Sequence, residues 1–204
     1  MKKLLLIAVS IVLPGVPALA APCAPGTLAA YIAMGSAGCS LGNLHVAGFT
    51  YKAKAGGGAG EITADQINVT PLLAPTGTFG LQFAAPWGVQ AGQSQGSNIS
   101  YRVLTASTAP IQVQQVRLDG DGFKAGLFGS VVVNESLATP TVTQALQVYL
   151  KCTEVCRSQT SAERDLTPPV SLLIVLDQAT LRSKLGAASM SSFTDWLVTC
   201  IPCV

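Results

Sequence analysis

Charged side chains are scarce in this sequence, making up 11% of its 204 residues. Lysine plus arginine number 12 and aspartate plus glutamate number 10, and two of the lysines, Lys2 and Lys3, belong to the N-terminal segment discussed below. Without those two lysines the net charge is zero. The charge balance therefore gives no sign of a basic face for nucleic acid or anionic lipid, nor of an acidic face that buffers metal ions.

Motifs of catalysis are also missing. The sequence has one histidine, His45, and no G-x-S-x-G nucleophile motif. His45 sits beside small residues at the start of a predicted strand, where an edge position is favoured over a catalytic base. The glycine-rich stretch at residues 55–60 lacks the G-K-[ST] ending and the following helix of a phosphate loop. These absences favour a protein without catalytic activity over an enzyme.

Long apolar runs are confined to the N-terminus. Lys2 and Lys3 precede an apolar core at residues 4–13, which is too short to span a bilayer, and Ala18-Leu19-Ala20 fits a cleavage site. We predict a signal peptide at residues 1–20 and one secreted domain at residues 21–204. No later run reaches about 18 apolar residues, so no membrane contact is expected after cleavage.

The mature sequence reads as a succession of strands. Alternating or β-branched segments recur at residues 44–52, 67–70, 79–84, 98–107, 111–118, 123–135, 142–151, 170–177 and 190–199. Asp119-Gly120-Asp121-Gly122 predicts a hairpin turn between two of them. Residues 86–96 and the polar residues 157–165 are predicted loops, and residues 178–185 fit either helix or strand.

A short helix is predicted near the start of the mature chain. Thr27 can cap its N-terminus and Gly35 can end it, while Leu28, Tyr31 and Ile32 share one face. A helix of about two turns is marginal alone. Cys23 and Cys39 flank it, and we predict that they are bonded, which would stabilise the fold by about 3 kcal/mol.

The same segment carries a resemblance to a known family. Cys23, the Leu28-Ala-Ala-Tyr31-Ile32 run, Gly38-Cys39-Ser40-Leu41-Gly42 and Phe49-Thr50-Tyr51 resemble the N-terminal motif of secreted proteins from environmental Gram-negative bacteria. Residues 62–71 and 80–87 are similar to that family too. Many of its members carry a C-terminal PEP-CTERM sorting signal, which this sequence does not show. The resemblance implies an exported β-sandwich and no assigned activity.

Together these observations predict a mainly β fold. It is an antiparallel β-sandwich, of jelly-roll or immunoglobulin-like type, with a short disulfide-clamped N-terminal helix. We expect it to be secreted or periplasmic, and released rather than anchored.

The other four cysteines have more than one interpretation. Cys152, Cys156, Cys200 and Cys203 fit two further disulfides, a four-thiolate zinc site or a redox pair. Export favours disulfides. We predict that the four pair among themselves, locally or crosswise.

The sequence offers two further candidate sites, one for a sugar and one for calcium. Trp87, Tyr101 and Trp196 are candidates for stacking on a sugar ring, although burial of Trp87 in the core is also favoured. Asp119 and Asp121 offer two carboxylates for calcium, but the loop lacks the other ligands of an EF-hand. The remaining carboxylates are predicted to be solvated turn charges; they include Glu135, Glu154, Glu163, Asp165, Asp177 and Asp195.

Two functions follow as hypotheses. One is a structural or adhesion role at the cell surface or in an extracellular matrix, with no catalytic activity and with polysaccharide or matrix proteins as partners. The other is a carbohydrate-binding or carbohydrate-acting module that uses exposed aromatic residues. Neither hypothesis involves nucleic acid.

Overall fold

A computed structural model describes residues 20–74, 77–105, 111–140 and 143–200. Most of these residues are in strands: β1 Gly26–Thr27, β2 Cys39–Leu41, β3 Leu44–Gly56, β4 Asn68–Ala74, β5 Thr78–Val89, β6 Ser94–Thr105, β7 Gln112–Asp121, β8 Lys124–Ala125, β9 Gly129–Ala138, β10 Thr143–Cys152, β11 Cys156–Gln159, β12 Ser161–Val170, β13 Leu172–Ser183 and β14 Ala188–Cys200. One helical segment, α1, covers Leu28–Ala33, and a 3₁₀ turn covers Ala64–Gln66. No helix in this part of the chain is long and apolar enough to cross a membrane.

The described strands form two antiparallel sheets packed face to face. The front sheet has the order β11-β10-β9-β13-β6-β3-β2. The back sheet has the order β1-β4-β5-β14-β7-β12, with β8 also paired to β14. The mainly β, sandwich-like fold predicted from the sequence is confirmed at this level.

The alternation of side chains explains which residues enter the core. In β9 the residues Val131, Val133, Glu135 and Leu137 are buried, while the residues between them are only partly buried. Successive side chains of a strand point to opposite faces, so each strand supplies one row to the core and one to the outer surface. The same alternation runs through β6 and β13, the central strands of the front sheet.

Aromatic rings link the two halves of the core. Phe49 stacks on Tyr101 with ring centroids 5.1 Å apart, and Phe83 stacks on Phe193 at the same distance. Tyr31 of α1 meets the edge of Phe49, also at 5.1 Å. The N-terminal segment thereby closes one end of the core.

The predicted helix is reduced to a brief turn of six residues. The hydroxyl of Thr27 accepts a hydrogen bond from the Ala30 N–H at 3.3 Å, and Gly35 follows the segment with φ +56°. Leu28 and Tyr31 are buried, whereas Ile32 is half-buried. A lone turn cannot persist by itself, so its packing and the Cys23–Cys39 bond hold it in place.

Several predicted connections were wrong. Asp119 to Gly122 do not close a hairpin, because β7 before them pairs with β14 and β12 in the back sheet, whereas β9 after them belongs to the front sheet. Residues 157–165 form the edge strands β11 and β12 instead of a loop. Charged side chains are common on such edges, because they oppose pairing with another chain.

Two other segments are also extended. Most of the predicted loop at residues 86–96 belongs to β5 and β6, which end at Val89 and begin at Ser94. Residues 178–183, which fitted helix or strand, complete β13. Their partners on β6 and β9 form continuous ladders, so tertiary pairing decides the structure there.

Candidate functional site

Three carboxyl groups lie inside the core, between the two sheets. They belong to Glu135 of β9, Asp177 of β13 and Asp195 of β14, and each residue is 0% exposed. One oxygen from each lies within 4.8 Å of the others. Glu135 and Asp177 are direct cross-strand neighbours in the front sheet, and Asp195 reaches them from the back sheet. We call these three residues the acid cluster.

One hydrogen bond joins the acid cluster to the front sheet across the sandwich. Tyr101 of β6 donates its hydroxyl proton to Asp195 Oδ2 at 2.7 Å. One oxygen of Asp177 lies within 4.8 Å of an oxygen of Asp195, so ionising both would place two negative charges close together in the core. Among the described residues, neither oxygen of Glu135, neither oxygen of Asp177 and not Asp195 Oδ1 has a hydrogen-bond partner.

Burial explains why protons stay in the acid cluster. It raises the pKa of Glu135 well above its usual range, and the charge of Asp195 raises it further. Burial likewise raises the pKa of Asp177 well above its usual range, again with the charge of Asp195 adding to the effect. Burial raises the pKa of Asp195 to about 7, although the hydrogen bond from Tyr101 opposes the rise. The pKa of Tyr101 is also raised well above its usual range, first by burial and then by these carboxyl groups.

The acid cluster cannot act on a polymer. A glycosidase needs two carboxyl groups that flank a bound sugar, whereas these three have no exposed surface. Their oxygens have the chemical type and spacing of ligands for a hard cation, but shared protons account for the same closeness. What the geometry does show is a polar link between the sheets, with Tyr101 on one side and Asp195 on the other.

The alternation of apolar residues along the strands indicated that these carboxylates point into the core. Val133 and Leu137 flank Glu135 at two-residue spacing, and Phe193 and Leu197 flank Asp195 in the same way. The prediction of solvated turn charges was wrong for Glu135, Asp177 and Asp195, because their strands run on through the core and carry them inward.

The three predicted stacking residues are not brought together. Trp87 is 2% exposed and Tyr101 0%, so neither ring can stack on an external sugar, and the prediction is corrected for both. The Trp87 indole N–H donates to Ser97 Oγ at 3.0 Å, which satisfies its polar atom inside the core. Trp196 is half-buried on the back sheet, and the Arg117 guanidinium lies 5.3 Å from the centre of its ring.

The predicted calcium ligands lie at the end of β7. Asp119 pairs with Arg117 at 3.0 Å and accepts a hydrogen bond from Ser161 Oγ at 2.7 Å. Asp121 is exposed. The charge of Asp119 is thus already balanced by protein groups, and calcium binding by Asp119 and Asp121 stays a prediction.

The five cysteines in the described part of the chain are disulfide-bonded. Cys23 is bonded to Cys39, as predicted, and Cys152 to Cys156, which is a local pairing. Cys200 is disulfide-bonded as well, and Cys203 lies outside the described residues. No described cysteine is free for a zinc or thiol–redox site. Disulfides of this kind persist in oxidising compartments, in agreement with export.

A row of polar side chains crosses the outer face of the front sheet. Gln147 of β10 is paired in register with Asn134 of β9, then with Gln178 of β13, Asn98 of β6 and Lys52 of β3. Five neighbouring strands at about 4.8 Å spacing give the row a length of about 19 Å. We call it the amide row. None of its members is buried.

The surface beside the amide row has a shallow depression. Its volume is about 330 Å³, and Gly96, Ser94 and Thr180 help to line it together with Lys54 and Arg182. Small residues leave this space open, because Gly96 has no side chain between its neighbours on β3 and β13. Sequence reasoning missed the amide row, because it exists only once five distant segments are placed in register.

An aromatic residue stands at one end of the outer face. Tyr149 of β10 is half-buried and lies two residues from Gln147 along its strand. The Lys151 ammonium group is 4.8 Å from the centre of its ring, which covers one side of the aromatic face. The outer face therefore offers mainly hydrogen-bonding groups, not a stacking platform.

Comparison with known proteins yields no family. No protein-family model and no curated protein matches the chain. Among solved structures, TmCBM61 in complex with beta-1,4-galactotriose has a TM-score of 0.33 at 12% identity, covering 71% of this chain and 86% of that chain. The enzymatically active domain of tailspike protein 4 from bacteriophage CBA120 has a TM-score of 0.30 at 7% identity, covering 78% and 20%. Endoglucanase 3 of Trichoderma harzianum, from family GH12, has a TM-score of 0.22 at 8% identity, covering 75% and 97%. At these low TM-scores, none of the likenesses carries a conclusion about this chain.

Proposed function

We propose that this protein binds a polysaccharide on the outer face of its front sheet and does not cleave it. The amide row is the observation that carries the proposal. Each amide side chain presents both donors and an acceptor, and sugar hydroxyl groups likewise donate and accept. A row of such groups across five strands suits a chain of hydroxyl-bearing units better than it suits an apolar partner.

Most of the hydrogen-bonding groups in the amide row have no hydrogen-bond partner within the described residues. Gln147 donates to Asn134, which orients that pair. No hydrogen bond within the described residues engages the side-chain amides of Asn98 or Gln178. Groups that the fold has left unpaired and solvated remain free to bond with a ligand, directly or through water.

The positions of the carboxyl groups support binding without cleavage. Glu154 and Glu163 line two separate depressions at the Gln147 end of the amide row. The outward positions of β3, β6, β13, β9 and β10 hold no aspartate or glutamate. General acid–base hydrolysis of a glycosidic bond needs two carboxyl groups beside the sugar. This supports the carbohydrate-binding side of the second sequence hypothesis without its exposed aromatic residues.

The other sequence hypothesis is compatible with this proposal. A structural or adhesion role in an extracellular matrix stays a prediction, and polysaccharide binding would be the means of performing it. The finer fold assignment, jelly-roll or immunoglobulin-like with a clamped helix, also stays a prediction. So does export by a signal peptide at residues 1–20.

Affinity electrophoresis of residues 21–204 in gels that contain single polysaccharides tests the proposal. The panel includes galactan, xylan, a mixed-linkage glucan, polygalacturonate and alginate. We expect retardation by at least one of them, and its loss in the Asn98→Ala, Gln178→Ala double variant. The matched control, Gln82→Ala with Gln114→Ala, removes two amides from the back sheet and should leave retardation unchanged.

Two results would overturn the proposal. One is free migration in every gel, and the other is equal retardation of the front-sheet variant and the wild type. Circular dichroism of each variant separates a lost ligand contact from a lost fold.

A further inference from the structure

The outer face of the front sheet has charge of one sign at its strand positions. Lys52, Lys54, Arg102, Lys151 and Arg182 point outward there. No carboxylate occupies these outward positions. Three lie in the core and four on β7 and β12, namely Glu135, Asp177 and Asp195, and Asp119, Asp121, Glu163 and Asp165. The others are Glu61 and Asp65 in the connection before β4 and Glu154 in the turn after β10. The charges are therefore segregated over the surface, although the net charge of residues 21–204 is zero.

The depression beside the amide row concentrates this charge. Lys54 and Arg182 line it, and no carboxylate does. Within the described ranges, neither side chain has a carboxylate oxygen within 4.0 Å, the distance of an ion pair. Glu154 and Glu163 lie toward the opposite β10 edge, where Arg157 and Arg164 accompany them. The β3 side of the outer face is thus the basic side, and its cations are unpaired.

We infer that the ligand of the outer face is a polyuronate, a polysaccharide that carries a carboxylate on its sugar units. This inference rests on the proposed function and specifies its ligand. The Arg182 guanidinium can hold a carboxylate through two parallel hydrogen bonds, and Lys54 adds a second cation to the same depression. The amide row then engages the ring hydroxyl groups that a polyuronate leaves free.

The ratio of polar to cationic groups favours this ligand over denser polyanions. Amide and hydroxyl side chains outnumber cations along the amide row and the depression. Nucleic acid instead carries a charge on every phosphate and is gripped by many cations or by aromatic stacking. A polymer with one carboxylate beside several hydroxyl groups matches the groups that this face offers.

Isothermal titration with polygalacturonate and with its fully methyl-esterified form tests the inference, because the two share a backbone and differ in charge. We expect binding of polygalacturonate to be about tenfold or more tighter, the effect of losing one charge-assisted hydrogen bond or more. Lys54→Gln with Arg182→Gln should remove this difference. Lys124→Gln, which neutralises a cation near the back sheet, should preserve it.

The outcomes separate the two claims. Equal binding of both forms would overturn the polyuronate inference and leave the polysaccharide proposal standing. Binding of neither form, together with free migration in all the gels above, would overturn both. Duplex DNA that binds as tightly as polygalacturonate at 150 mM salt would overturn the choice of polymer, because the face would then be selecting charge alone.

Discussion

Raising the pH should weaken the fold through the acid cluster of Glu135, Asp177 and Asp195. In the unfolded chain these groups titrate near pH 4, whereas burial raises the pKa of each in the folded protein. Below about pH 4 both states are protonated, and stability is fully present. Above that value the folded protein holds protons that the unfolded chain releases, so stability falls as pH rises.

The slope can be stated from linkage. Each additional proton held by the folded state lowers the free energy of unfolding by about 1.4 kcal/mol per pH unit. For Asp195 the loss continues until its folded pKa of about 7. The pKa values of Glu135 and Asp177 are also raised, so at least two protons contribute over much of this range, and the slope reaches about 3 kcal/mol per pH unit.

Urea unfolding between pH 5 and pH 8 measures this slope, with the fluorescence of buried Trp87 as one signal. The Glu135→Gln, Asp177→Asn variant keeps the side-chain shapes and removes two titrating groups. We expect its free energy of unfolding to depend less on pH than that of the wild type. The control Asp121→Asn, at an exposed carboxylate, should keep the wild-type slope.

Two results would refute this reasoning. A wild-type protein that becomes more stable from pH 5 to pH 8 would show that the carboxyl groups ionise favourably in the core. A loss of stability on adding EDTA would show that a cation, and not shared protons, balances them.

Two further predictions concern the links that hold the sandwich together. Cys23→Ser with Cys39→Ser should cost about 2–5 kcal/mol, because the bond, at a sequence separation of 16, closes the loop around the α1 turn, and thermal melts under oxidising conditions measure the loss; a double variant that melts like the wild type would contradict it. Tyr101→Phe should cost about 1–3 kcal/mol in urea unfolding at pH 7, because it removes the donor that reaches Asp195 across the two sheets. An unchanged unfolding midpoint would mean that this inter-sheet hydrogen bond contributes nothing.

Local features of the fold were predictable from the sequence. Cys23 and Cys39 bracket a segment short enough that loop closure costs little, so their pairing needed no knowledge of the rest. Thr63 and Gln66, three residues apart, form a capping box, with the Thr63 N–H donating to Gln66 Oε1 at 2.8 Å. In both cases the partners lie close together in the chain.

Features that depend on distant partners were not predictable. The Asp119–Gly122 turn signal could not reveal that the chain changes sheets there, because turn residues specify a local bend and not the next pairing partner. Charge alone misassigned Asp195, whose polar partners Tyr101 and Asp177 lie on the opposite sheet. The amide row likewise depends on the register of five strands, which no single segment of the sequence specifies.

The central claim is that the outer face of the front sheet is the ligand-binding face. The most direct test is a ¹⁵N-resolved titration that follows side-chain NH₂ signals while polygalacturonate oligomers are added. The signals of Asn98, Asn134 and Gln178 should shift together and saturate, while those of Gln82 and Gln114 on the back sheet stay in place. Shifts confined to the back sheet, or no saturable shift of any side-chain amide, would contradict the account.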